Sequence, residues 1–159
     1  MENEQLSLEI ESKDQSDETF IVLSLKEIYF GQMLDGYKRY EYRRKFVNRP
    51  VTAFIYLVSP VKSITGIVKL GKPIIGSVHE IAQICENEEP GTGAYEATLK
   101  YLEGLEKGYA IPVLSVEKID PVSLNELRDR FKFVAPQSYM IINNKPELLT
   151  FLQSRRKNG

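Results

Sequence analysis

Between Gly36 and Phe46 the chain reads Gly-Tyr-Lys-Arg-Tyr-Glu-Tyr-Arg-Arg-Lys-Phe, five cations, three tyrosines and a single carboxylate within eleven residues. Lys and Arg neutralise phosphate, aromatic rings give flat surfaces on which bases stack, and a lone carboxylate accepts a hydrogen bond from a base amino group. A segment so rich in charge is a poor core element and a good wall for a site that holds an anion.

Within that stretch each residue type suggests a task. Lys38 can hold a phosphate or, once desolvated, act as a general base. An extended chain over residues 39–45 puts Glu41, Arg43 and Lys45 on one face and Tyr40, Tyr42 and Arg44 on the other. Glu41 and Arg43 are then close enough for a lateral ion pair. They can satisfy each other, or Arg43 can hold an anion while Glu41 reads an amino group or moves a proton. Arg44 and Lys45 fit peripheral phosphate contacts, and three or four contacts from Lys38, Arg43, Arg44 and Lys45 give an expected salt slope of roughly −2 to −3 for single-stranded RNA. Tyr37, Tyr40, Tyr42 and Phe46 can stack on bases or pack in a core. Ser24 and Lys26, at the end of an upstream strand, can project into the same cleft, and Gln137 and Ser138 offer an amide and a hydroxyl to a base edge.

The elements that must position these residues read as a mixed α+β order. Residues 20–25 are a short apolar run of strand type, and residues 26–35 a helix stopped by Gly36. Strands are expected over residues 52–58, 62–70, 109–119 and 139–142, with Pro112 pointing to an edge or a bulge. Helices are expected over residues 78–85 and 93–105, separated by a loop at 86–91. A short helix at 120–127 has Pro121 in its first turn, and an amphipathic helix over 146–155 follows. The order lacks the regular alternation of a doubly wound sheet, so a small, partly open barrel decorated by helices fits best.

Composition narrows the class. With 159 residues, 42% of them hydrophobic and 27% charged, the chain reads as one ordinary globular domain with extensions. Its net charge of −1 conceals a separation: residues 1–18 hold seven acids against Lys13, leaving the remainder at +5. Residues 1–18 read as an acidic disordered tail and 19–159 as the domain. No apolar run is long enough to span a membrane, and the cytoplasm is the expected location. Cys85 is the only cysteine and His79 the only histidine. Neither builds a metal site alone, and no motif calls for a cofactor.

Four separated segments together resemble the ASCH domains of the PUA-like superfamily. They are Leu23-Ser24-Leu25-Lys26; Gly36, Lys38, Glu41 and Arg43 in a GxKxxExR pattern; Tyr56 to Lys62 with Gly66; and Gly108 to Ile111, Pro121 to Leu124 and Ala135 to Tyr139. The match spans about residues 20–142 in order, with a C-terminal helix at 145–155 lying outside it. The resemblance implies a small β-barrel of mixed strands with helices packed across one opening, and a cleft lined by Ser24, Lys26, Lys38, Tyr40, Glu41, Arg43, Arg44, Gln137 and Ser138. It implies binding of single-stranded RNA or a modified nucleotide. It also implies an alternative, a small hydrolase of amidohydrolase or ribonuclease type in which Lys38 and Glu41 are catalytic. The deacylating relatives carry Thr where this chain has Glu41, which argues against that chemistry here. A protein-interaction adaptor is the third reading, supported by the acidic tail and the terminal helix.

Overall fold

The computed structural model describes residues 17–157. Strand β1 (Phe20–Leu25) is buried on both faces, which is why it reads as an apolar run rather than an alternation. It pairs in parallel with β3 (Val51–Leu57) and antiparallel with β7 (Tyr139–Ile141). Strand β4 (Ser63–Leu70) joins β3 to the 17-residue β6 (Lys107–Ser123). The first residues of β6 carry β2 (Tyr40–Arg43) and β5 (Ile74–Ser77). The sheet order is β2-β6-β4-β3-β1-β7, with β5 attached to β6. This mixed sheet curls into a half-barrel, and Phe46, three residues past the end of β2, lies against Tyr139 of β7 with ring centroids 4.8 Å apart.

Five helices decorate the sheet among the described residues: α1 (Glu27–Leu34), α2 (Val78–Glu88), α3 (Ala94–Tyr101), α4 (Leu124–Phe131) and α5 (Pro146–Ser154). Inside the curl, Ile21, Leu23 and Leu25 of β1 pack with Ala53 and Ile55 of β3 and with Phe30 and Met33 of α1. The opposite faces of the same strands, through Val22, Phe54 and Tyr56, bury α4 and α5. A third, smaller cluster of Ile81, Leu102 and Ala110 seats α2 and α3 against Tyr40 and Tyr42. Gly66 lets α1 lie this close: a Cβ there would stand 2.3 Å from the Phe30 ring and 2.9 Å from the Glu117 carbonyl. Absence of a side chain on β4 thus sets the height of the helix that carries Lys26 and Tyr29.

Two prolines locate the bends of β6. The helix expected from Asp120 instead begins at Leu124, capped by Ser123 Oγ, which accepts from Glu126 N at 3.1 Å. Asp120 to Ser123 belong to the strand. Pro121 is tolerated there because the ladder skips: Gly66 pairs with Lys118 and Ile64 with Val122, so the missing N–H falls in a bulge. Pro112 likewise adjoins a skip, where Lys69 pairs with Ser115 and Leu70 with Val113. The bulge expected there is present, but the strand is internal to the sheet rather than an edge.

Residues 1–16 of the expected acidic tail lie outside the described residues. Glu18 contacts the sheet: its carboxylate accepts from Thr52 Oγ1 at 2.5 Å and its carbonyl from Asn143 Nδ2 at 2.7 Å. Among the described residues, no helix is long and apolar enough to cross a membrane.

Candidate functional site

Gly36 sets the entrance. Its φ of +78° turns the chain back at the end of α1, and the amides of Tyr37 and Lys38 both donate to the Gln32 carbonyl, at 2.9 and 3.0 Å. Lys38 is thereby delivered to the start of β2. Alternation along β2 then turns Glu41 and Arg43 inward, opposite Ile111 and Tyr109, and Tyr40 and Tyr42 outward against α2 and α3.

The inward face forms a charge triad. Glu41, only 5% exposed, accepts from Arg43 Nη2 at 2.8 Å and lies 3.5 Å from Lys38 Nζ. Two cations on one carboxylate give the triad itself a net positive charge in a shielded place, which favours an anion, while Lys26 and the carboxylates Glu88 and Glu89 line the space above it. The guanidinium of Arg43 also donates to the Ser24 carbonyl at 3.0 Å and to Ser138 Oγ at 3.2 Å. Arg43 therefore ties β2 to β1 and the start of β7 across the open seam of the barrel. Lys38 is held differently, with its ammonium 5.0 Å from the Tyr42 ring centre and 5.3 Å from that of Tyr29. Such contacts contribute about 0.5–2 kcal/mol each, depending on desolvation.

Above the triad lies a cavity of about 380 Å³, open to solvent, with walls from α1, β2, α2 and α3. Its size falls at the small end of sites that take small molecules, suited to one nucleoside-sized group rather than a folded partner. On α3, Ala94, Ala97, Thr98 and Tyr101 share one face, and the small residues among them leave the space. Tyr29, Tyr37 and Tyr101, each 40–56% exposed, stand around the mouth.

Behind Lys38 is a second carboxylate. Glu88, in the last turn of α2, accepts from Tyr42 Oη at 2.5 Å and from the Arg39 amide at 2.6 Å. Burial, then the hydrogen bond to Glu88 and the charge of Glu88, push the Tyr42 phenol well above its ordinary value near 10. Tyr42 is thus a fixed donor and a fixed platform for Lys38, not a base. Because its folded-state proton is held more tightly than the unfolded-state one, its contribution to stability is complete below about pH 10 and is lost as pH rises beyond it. Urea denaturation across alkaline pH should show this decline, and Tyr42→Phe should flatten it; an equally steep decline in the variant would exclude Tyr42 as its source.

Of the residues singled out from the sequence, Ser24, Lys26, Tyr37, Lys38, Glu41, Tyr42 and Arg43 line the cavity. Ser138 joins them through Arg43, and Gln137 is exposed beside it. The Ser24 hydroxyl is engaged, donating to the Pro136 carbonyl at 2.6 Å. Tyr40 does not line the cavity and packs into the cluster under α2 and α3, whereas Tyr42, of the same parity, packs there and lines the cavity too. Arg44 turns away as well, donating to the carbonyls of Tyr101 at 2.7 Å and Glu103 at 3.4 Å. Phe46 is core. His79 is exposed, with Nδ1 2.9 Å from the Tyr95 hydroxyl. The sequence reading missed Glu88, Tyr29 and Tyr101. Ending α2 at residue 85 left Glu88 in a loop, although Cys85 and Glu88 stand three apart, on one helical face.

The chain is 29% identical over 128 residues to an ASCH domain-containing ribonuclease from Zymomonas mobilis, a match covering 79% of this chain and 85% of the relative. The fold is similar to a crystal structure of ZmASCH from Zymomonas mobilis, with a TM-score of 0.69 at 26% identity over 84% of this chain and 94% of that one. A mutant of the same protein gives a TM-score of 0.72 over 87% and 97% of the two chains, also at 26% identity. The N-terminal domain of Staphylothermus marinus McrB shares the fold, with a TM-score of 0.54 at 12% identity over 86% of this chain and 93% of that one. No family model matches the chain.

Proposed function

The chain belongs to the ASCH domain family, and on that footing we propose that it binds single-stranded RNA by seating one nucleotide in the cavity over Lys38, Glu41 and Arg43. The observation that carries this reading is the doubly paired, buried Glu41 on the floor of an aromatic-rimmed cavity. Phosphate meets Lys38 and Lys26, the cavity-lining cations whose charged ends are least taken up by the protein. The exposed tyrosines stack on the base, since ring stacking tolerates any base and supplies about 1–3 kcal/mol for each one stacked. Arg43 acts chiefly by holding Glu41 and Ser138 in place. The cytoplasm, where such RNA is met, is the proposed setting.

One observation favours a second reading, cleavage of the bound strand: the Zymomonas mobilis relative is a ribonuclease by name, and here Lys38 lies 3.5 Å from Glu41. In that reading the Lys38 ammonium stabilises charge building on the phosphate and Glu41 moves the proton. Both readings are tested in one assay. A labelled, 5′-phosphorylated RNA dinucleotide, which carries two phosphates, titrated with the full chain over a salt series should give a slope of roughly −1.4, one lysine on each phosphate at about 0.7. That is shallower than the sequence alone suggested, because Arg43 and Arg44 are engaged within the protein. Gel analysis of the same samples separates the readings: intact RNA supports binding alone, and shortened products support cleavage. RNA binding that is absent or indifferent to salt would overturn both.

A further inference from the structure

A second groove, of about 520 Å³, lies between the end of α4, β7 and the start of α5. Its floor is apolar, with Phe133 buried and Val134 75% exposed. Arg130, Lys132 and Lys145 line it against a single acid, Glu147. Arg130 is partly occupied, 3.2 Å from Glu126 and stacked on Phe151 at 4.7 Å, whereas Lys132 and Lys145 are exposed. An apolar floor with an excess of positive charge at its rim has the chemistry of a single-stranded nucleic-acid track, which needs surfaces for bases and cations for phosphates.

One short stretch of chain joins the groove to the cavity. The chain leaves it at Val134 and reaches Ser138 four residues later, where Ser138 Oγ accepts from Arg43 and the Ser138 carbonyl accepts from Ser24 N at 3.0 Å. Pro136 is fastened to Ser24 on the way. Four residues of extended chain cover at most about 13 Å. Lys132 is six residues from Ser138, at most about 20 Å of extended chain, so one oligonucleotide can reach both sites.

We propose that this groove is a second RNA subsite, taking the nucleotides that flank the one held in the cavity, with Lys132 and Lys145 as its phosphate contacts. The inference rests on the RNA reading of the cavity and extends it from a single nucleotide to a strand. Length selection follows from it: a dinucleotide fills only the cavity, whereas an oligomer of roughly eight nucleotides, within the footprint of comparable folds, fills both.

The test compares the full chain with the double variant Lys132→Gln, Lys145→Gln. Both side chains are exposed and the uncharged replacements are only one atom shorter, so folding is preserved, and a Lys132→Arg, Lys145→Arg protein serves as the rescue. For the longer RNA the double variant should bind at least tenfold more weakly, with the salt slope falling from roughly −2.8 to −1.4. The arginine pair should restore both, while dinucleotide binding stays as in the parent. If the parent binds both RNAs and the double variant binds the longer one equally well, the groove proposal falls while the cavity reading stands, and the groove is left to a protein segment. If the parent binds neither RNA, both fall.

Discussion

Replacing Arg43 by alanine should destabilise the protein by about 3 kcal/mol, because it strips a buried carboxylate of its better partner. In the native protein Glu41 accepts from Arg43 at 2.8 Å, whereas Lys38 stands farther off at 3.5 Å. The same guanidinium closes the barrel seam through Ser24 and Ser138, so the substitution also frees β7 from β2. Arg43→Lys should recover only part of the loss, since an ammonium cannot reproduce the planar fork that reaches three acceptors. Urea denaturation should register a lower midpoint at unchanged slope. A loss below about 1 kcal/mol would mean that Lys38 alone compensates Glu41 and that the seam does not depend on Arg43.

The second large effect falls on binding rather than on stability. Lys38→Ala should weaken a short RNA by roughly 30-fold, the equivalent of about 2 kcal/mol for a charge-assisted contact. Glu41 keeps its bond to Arg43, so the fold survives, and circular dichroism of the variant should match that of the parent. The salt slope should fall by about 0.7, the share of a single phosphate contact. Equal affinity in the variant would remove Lys38 from the phosphate site, and a collapse of the circular dichroism signal would make it a structural residue instead.

Much of the site was legible because it is local. Lys38, Glu41 and Arg43 come from one turn and one strand, so a stop at Gly36 and a period of two were enough to bring them together. Parity makes Tyr40 and Tyr42 behave alike, and there it fails: both pack against α2 and α3, but Tyr42 also lines the cavity and Tyr40 does not. Which face of a strand a helix will cover is a tertiary fact. Glu88 and Tyr101 reach the cavity from helices more than 40 residues downstream, and nothing in the 36–46 segment announces them. Their own helical spacing, 85 to 88 and 94 to 101, did carry a signal, which was blunted by reading the acid-rich stretch after Cys85 as a loop. In the fold, β1, α1, β3, β4 and α5 follow from run length, period and punctuation. The long β6 did not, because Pro112 and Pro121 resemble breaks until the bulges that absorb their missing amides are seen.

The central claim is that RNA occupies the cavity between α1, β2 and the α2–α3 pair, and photo-crosslinking tests it most directly. A short single-stranded RNA carrying a photoreactive base would be bound to the full chain, irradiated, and the adducts mapped by mass spectrometry. The expected adducts fall on Tyr29, Tyr37 and Tyr101 at the mouth, and they should diminish in Lys38→Ala. Adducts confined to surfaces remote from this mouth, such as β5 or the Arg49–Lys69 side of the barrel, would contradict the assignment.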